Sequence, residues 1–186
     1  MQSSAKPIAT QPATAEGEGQ LRRGARRLIL TRHAKAVEED GGGDHSRGLS
    51  ERGVADAQAL AAWLREQELV PEVALCSTAA RTRQTLEIMA PSVATILSDK
   101  LYLATVGDLL AQVQATDDAV HTLLLVCHNP GAHGLLAMLV DSCATPADAD
   151  RMLLKFPTSA CAVMTFNTPC WRAVAPRTGH LDLLRY

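Results

Sequence analysis

The sequence predicts an α/β domain in three layers, with a mainly parallel central sheet flanked by helices. Two observations lead there. Short apolar runs of strand length alternate with longer stretches of helical periodicity along the 186 residues. The runs stop at polar or turn-forming residues, as strands of a parallel sheet do where chemistry collects at their C-terminal ends.

The elements follow in order. Leu28-Ile29-Leu30 is the first buried strand. Val37 to Arg47 is polar, contains Gly41-Gly42-Gly43 and reads as a loop. Ser50 is placed to cap a helix reaching about Glu68, with Val54, Ala57, Leu60, Ala61 and Leu64 on its apolar face. After Pro71 comes a strand from Val73 to Cys76, then a helix from Thr78 to Met89 that Ser77 or Thr78 can cap. A weaker helix covers Val106 to Ala115, Thr122 to Cys127 is a third strand, and Gly131 to Val140 is helical. Ala160 to Phe166 is a fourth strand, and Trp171 to Ala175 reads as a fifth at the sheet edge, where an antiparallel strand is admissible. No internal repeat is visible.

Residues 1 to 26 read as a disordered tail and residues 27 to 186 as one catalytic-sized domain. The first twenty residues are rich in Ala, Thr, Ser, Gln and Gly, and the arginines at 22, 23, 26 and 27 follow. The tail lacks the apolar core of a secretory signal, and Glu16 and Glu18 argue against a transit peptide without closing that option. A cytoplasmic protein is the simplest expectation. The five cysteines form no Cys-x-x-Cys pair, so neither a disulfide framework nor a zinc site is expected. The net charge of −2 and an aromatic content of 3% give no support to nucleic-acid binding. No apolar run is long enough to cross a bilayer.

Three strand ends share one chemistry. Arg32 and His33 leave the first strand side by side. Arg81 falls in or near the first turn of the helix after the second strand, where a cation opposes the helix dipole unless it shares an anion with the free backbone N–H groups. Arg83 sits about 200° around that helix and reads as solvated. His128 ends the third strand, with Asn129-Pro130 behind it. Taken singly, these are ordinary polar strand ends, a surface arginine and a structural histidine. Together they offer two guanidinium forks for phosphoryl oxygens, one imidazole able to attack phosphorus and a second to stabilise the charge that develops. Phosphoryl transfer needs little more than such positioning and charge.

These segments resemble the histidine phosphatase superfamily. The match includes Arg32-His33, the Ser77…Arg81…Gln84-Thr85 segment and the His128-Asn129-Pro130-Gly131 turn, with Gly48 to Gly53 and Phe156 to Ala160 also similar. The order and spacing resemble the small SixA-like branch, the phosphohistidine phosphatases, from about Arg27 to Phe166. The resemblance implies a phosphohydrolase in which His33 becomes phosphorylated, Arg32, Arg81 and His128 form the phosphate pocket, and no cofactor or metal is required. The implied partner is a protein carrying phosphohistidine, with a small phosphorylated metabolite as the alternative. Ala34 replaces the family's usual Gly, which matters only if that position needs a positive φ.

Larger members place an acid after the second strand–helix pair. Asp99 is the nearest candidate proton donor here and Asp108 stands behind it, although a plain loop role suits Asp99 somewhat better. A phosphohistidine substrate needs less help, because its ring, once protonated, departs neutral. Thr158 and Ser159 are candidates to line the pocket, against a turn role after Pro157. Lys35 is read as solvated. Three rival readings are a metal hydrolase, a mutase and a non-catalytic phosphate-binding module. The six histidines show no ligand spacing, the chain leaves little room for mutase insertions, and the intact nucleophile and pocket set argue against a mere binder. Oligomeric state is not legible.

Overall fold

The computed structural model describes residues 24–38 and 41–186. Most of the expected tail therefore lies outside the described residues; within them, the first strand already opens at Arg26.

The strands are β1 (Arg26–Arg32), β2 (Val73–Ser77), β3 (Ala94–Ser98), β4 (Thr122–Cys127), β5 (Val140–Cys143), β6 (Cys161–Phe166) and β7 (Gly179–Arg185). The helices are α1 (Glu51–Glu66), α2 (Ala80–Met89), α3 (Val106–Gln114), α4 (Gly131–Leu139) and α5 (Pro146–Leu154). The seven strands form one sheet in the order β3-β2-β4-β1-β6-β7-β5. Neighbours pair in parallel except at β6, which is antiparallel to both β1 and β7.

Side-chain alternation builds the three layers. Leu28 and Leu30 of β1, with Leu123 and Leu125 of β4, pack on one face against Leu109 of α3 and Leu135 and Leu139 of α4. Ile29, Leu124 and Val126 point to the other face, against Leu60 and Leu64 of α1 and Leu86 and Met89 of α2. Apolar residues on both faces explain why these strands read as continuous runs rather than alternating ones.

Several boundaries differ from expectation. Trp171 to Ala175 is no strand: Trp171–Ala173 is a 3₁₀ turn whose fully buried indole donates from Nε1 to Val120 O at 2.7 Å, so the ring plugs the core from a loop. The antiparallel strand is the interior β6, not an edge. β3, β5, α5 and β7 were not expected. The segments β3 and β5 are short and largely exposed, without the apolar run that marks a buried strand. α1 is capped as expected, with Ser50 Oγ accepting from Gly53 N, but it stops at Glu66 and leaves Val54 exposed. Among the described residues, no helix is long and apolar enough to cross a membrane.

Gly53 fixes where the segment after β1 lies. A Cβ on it would stand 2.0 Å from Lys35 O, the carbonyl that also accepts from Ser50 N at 2.9 Å. Gly53→Ala must push α1 away from the chain that follows His33. We expect a loss of about 3 kcal/mol in urea unfolding, with reduced turnover in the fraction that folds.

Candidate active site

β2, β4 and β1 are adjacent and parallel, so their C-terminal ends open on one edge of the sheet. The start of β6 reaches the same edge, where Cys161 pairs with Thr31. That topology gathers Arg32-His33, Ser77 to Arg81, His128 and Ser159 from four distant stretches of chain.

Arg32 closes β1, and its Nη1 donates to Phe156 O at 3.1 Å. His33 is locked through its backbone: its N–H donates to Cys127 O at 3.1 Å and its carbonyl accepts from Ser159 N at 3.2 Å. The ring Nδ1 lies 2.8 Å from Ala34 O. A carbonyl only accepts, so Nδ1 holds the proton of the neutral ring and Nε2 keeps a lone pair. Ala34 is fully buried, donates its N–H to Thr85 Oγ1 at 3.0 Å and is not among the positive-φ residues. Alanine therefore sits there without backbone strain.

The His128 ring lies with its centroid 5.1 Å from that of His33, tilted by 55°. Its Nε2 is 2.8 Å from Ser77 Oγ. Ser77 is thus not a helix cap: α2 starts after Ala79 without a side-chain cap, and the hydroxyl serves the imidazole instead. His128 Nδ1, Arg32 Nε and Ser159 Oγ are buried without a hydrogen-bond partner. Such groups carry a desolvation cost that a bound polar ligand can relieve. Ser159 also holds a left-handed backbone, φ 62°, uncommon for a residue with a side chain.

Arg81 lies in the first turn of α2 and is almost wholly buried. Its Nη1 donates to Asp44 O at 2.6 Å and its Nη2 to Asp44 Oδ2 at 2.8 Å. Asp44 opens a 3₁₀ turn, Asp44–Ser46, inside the expected loop. Its carboxylate also accepts from Tyr102 Oη at 2.6 Å and from Arg47 Nη1 at 2.8 Å. The Tyr102 ring meets both His128 and His45 edge-on, at centroid distances of 5.4 and 4.8 Å.

The electrostatics follow from burial beside several cations. Burial pushes His33 down to about 4, against the pull of Ala34 O, and Arg81, Arg32 and Arg47 lower it further. Burial likewise takes His128 down to about 3, with His33, Arg81 and Arg32 adding to the fall and Asp44 opposing it. The Tyr102 hydrogen bond, with those of Arg47 and Arg81, holds Asp44 well below the usual carboxylate range despite some burial. Both imidazoles are neutral at pH 7, and Asp44 is ionised.

The remaining candidates separate. Asp99 accepts from Thr78 Oγ1 at 2.5 Å, and Thr78 Oγ1 lies 3.0 Å from His45 Nε2, so Asp99 stands one residue behind the ring of His45. Asp108 belongs to a capping box with Thr105 at the start of α3. Thr158 is half-buried in the turn with Ser159. Lys35 and Arg83 are exposed, as read from the sequence.

Residues 28–109 match the family model of the histidine phosphatase superfamily (branch 1). The phosphohistidine phosphatase SixA of Escherichia coli (strain K12) is 31% identical over 146 residues, spanning 75% of this chain and 85% of that relative. The chain belongs to the histidine phosphatase superfamily. An uncharacterised protein of Mycobacterium tuberculosis is 38% identical over 134 residues, 72% of this chain and 85% of its own length. The fold of this histidine phosphatase superposes on a putative phosphohistidine phosphatase SixA from Nakamurella multipartitia with a TM-score of 0.77 and 33% identity, over 88% of this chain and 96% of the other. It is a phosphatase of SixA-like build.

Sequence reasoning missed Asp44, Tyr102, His45 and the role of Ser77 in this histidine phosphatase. Asp44 and His45 lie in a glycine-rich loop with no periodicity, and Tyr102 follows the unexpected β3. The one legible hint was Arg81 itself: a buried cation at a helix N-terminus calls for an anionic partner.

Proposed function

We propose that this phosphatase hydrolyses phosphohistidine on a protein, in two steps and without a metal. The observation that carries the reading is the pair of buried, neutral imidazoles 5.1 Å apart, with the proton of His33 tied to Ala34 O. His33 Nε2 attacks phosphorus while Arg32, Arg81 and His128 hold the phosphoryl oxygens. A phosphoryl oxygen at His128 Nδ1 selects the tautomer protonated there, with Ser77 donating to Nε2. Ser159 Oγ and Arg32 Nε, buried and unpaired, are further donors for the anion. Water then displaces His33 from phosphorus and releases inorganic phosphate.

The guanidinium groups supply the positive charge a metal would supply elsewhere. Among the described residues, no group of three or more His, Cys, Asp or Glu side chains is arranged to hold a metal ion. A protein substrate is supported by the rim, where His45, Thr78 and Asp99 are exposed or half-buried and leave the mouth open to a displayed side chain. Phosphohistidine is supported by the carboxylates: Asp44 is ionised, and Asp99 is turned to Thr78 behind the ring of His45, so neither is placed as a proton donor for an alkoxide. The five cysteines are all free thiols, in keeping with a reducing cytoplasmic setting. The test is a turnover comparison, in EDTA, of a phosphohistidine-bearing protein against small alkyl phosphomonoesters. The expected result is undiminished activity in EDTA and a kcat/KM at least about a hundredfold higher for phosphohistidine, near 2.7 kcal/mol in barrier. Preference for an alkyl ester, or loss of activity in EDTA, overturns the corresponding part of the reading.

A further inference from the structure

We infer that Asp44 is the acceptor for the leaving group: its carboxylate takes the hydrogen bond of the far ring N–H of the substrate's imidazolium, so that the ring departs neutral without a proton donor. This rests on the phosphohistidine reading above and assigns the group that makes it chemically complete.

The argument begins at His33. Its Nε2 attacks while Nδ1–H donates to Ala34 O at 2.8 Å, so the phosphorylated ring is an imidazolium whose charge a backbone carbonyl helps to hold. Transfer from a phosphohistidine runs the same chemistry backwards at the other side of phosphorus. The bond from His33 Nε2 to phosphorus forms as the substrate's P–N bond breaks, and the electron pair returns to the leaving nitrogen. If the substrate ring enters protonated on its far nitrogen, it leaves as neutral imidazole and no proton moves. In the second step water adds its oxygen to phosphorus, the His33–phosphorus bond breaks, both water protons stay with the phosphate as its monobasic anion, and His33 returns neutral with Nδ1–H in place. What the first step lacks is a partner on the substrate side equivalent to Ala34 O.

Asp44 has the properties that role requires. Its Oδ2 accepts from Arg81 and Tyr102 and its Oδ1 from Arg47. A carboxylate has roughly four acceptor positions, so one remains on Oδ1. The side chain is 38% exposed, within reach of an entering ring. It touches Arg81, which the reading above gives to the phosphoryl group, and Tyr102, whose ring meets that of His128 edge-on, so it lies on the Tyr102 and His128 side of the pocket. In-line transfer sends the leaving nitrogen away from His33 Nε2. The edges of Tyr102 and His45 beside Asp44 offer an aromatic seat for a planar ring. Three donors keep Asp44 ionised, which suits an acceptor and disqualifies an acid.

The experiment compares two substrates that differ in the leaving group. Phosphohistidine has a far ring N–H; p-nitrophenyl phosphate has none, and its phenolate leaves without a proton. Wild type, Asp44→Asn and Asp44→Ala are assayed on both, after thermal melting confirms that the variants fold. Loss of the Arg81 contact lowers both activities. The inference expects the drop in kcat/KM on phosphohistidine to exceed that on p-nitrophenyl phosphate by at least roughly tenfold, the scale of one charge-assisted hydrogen bond. Equal losses on the two substrates would reduce Asp44 to a positioning residue for Arg81 and overturn the inference, as would full activity on both. Wild type that turns over p-nitrophenyl phosphate but not phosphohistidine would overturn the functional reading itself, a separate outcome visible before any variant is made.

Discussion

Replacing His33 with alanine is expected to lower kcat by about four orders of magnitude or more, the scale seen when a covalent nucleophile is removed while the binding groups remain. The residue has no substitute nearby: the second imidazole, His128, has its Nε2 committed to Ser77 Oγ at 2.8 Å and its Nδ1 buried. The fold should not suffer. His33 is held by its backbone, through Cys127 O and Ser159 N, and alanine keeps those hydrogen bonds. The ring itself is a neutral imidazole buried among guanidinium groups, so deleting it removes a strained electrostatic environment along with some packing. The expected outcome is a melting temperature within a few degrees of wild type at pH 7.5, with phosphate binding retained through Arg32, Arg81 and His128. Steady-state kinetics checks the rate, and thermal melting with and without phosphate checks the fold and the retained binding; in a rapid alkaline quench with labelled substrate, only wild type should carry a base-stable, acid-labile phosphoenzyme. Retention of wild-type turnover in His33→Ala would refute the nucleophile assignment.

The parts of this molecule legible in the sequence were those whose physics is local or strongly periodic. Continuous apolar runs at Leu28 to Leu30 and Leu123 to Cys127 announce strands buried on both faces, and these became the centre of the sheet. Ser50 announced a cap because its hydroxyl needs only a donor three residues on. The failures have physical causes too. Trp171 to Ala175 has strand-like composition, but its indole finds a carbonyl on Val120 and Asp118 takes its backbone N–H, a non-local bargain that composition does not encode. The β3 segment is an edge, exposed along most of its length, and therefore lacks the hydrophobic pattern on which strand recognition depends.

The site divides in the same way. Arg32, His33 and His128 were visible because each stands at the end of an apolar run, and Arg81 because it is a cation in the first turn of the helix after such a run; parallel topology carries these ends to one edge. Asp44 was invisible because a loop residue acquires its meaning only from what it touches, and what it touches comes from α2 and from the chain after β3. Ser77 or Thr78 reads from local context as a cap; for Ser77 the competing long-range partner, His128, won.

The second large effect is a loss of stability in mild acid. In the folded protein burial holds His33 near 4 and His128 near 3, whereas in the unfolded chain each titrates near its ordinary 6.5. Between pH 6.5 and about 4 the unfolded chain therefore binds protons that the folded chain refuses, and the free energy of unfolding falls as pH falls. The loss is absent above 6.5, where both states are neutral, and levels off below the folded values, where both are charged. At 1.36 kcal/mol per unit of difference, His33 accounts for about 3 kcal/mol and His128 for about 5 kcal/mol. Asp44 does not blur this window: its folded value is depressed, so its contribution is intact above the ordinary carboxylate range and is lost only below it. Urea unfolding followed by the fluorescence of Trp63 and Trp171 at pH 7.5, 6 and 4.5 should show a steady fall in unfolding free energy. Inorganic phosphate should counter it, because an oxyanion between the rings favours their protonated forms and raises both folded values toward 6.5. The stabilisation by phosphate is thus expected to be larger at pH 5 than at pH 7.5. A His33→Asn, His128→Asn double variant should flatten the acid limb, since neither side chain titrates. A limb of unchanged steepness in that variant would assign the acid sensitivity to other groups and show that the two imidazoles are not buried as neutral rings.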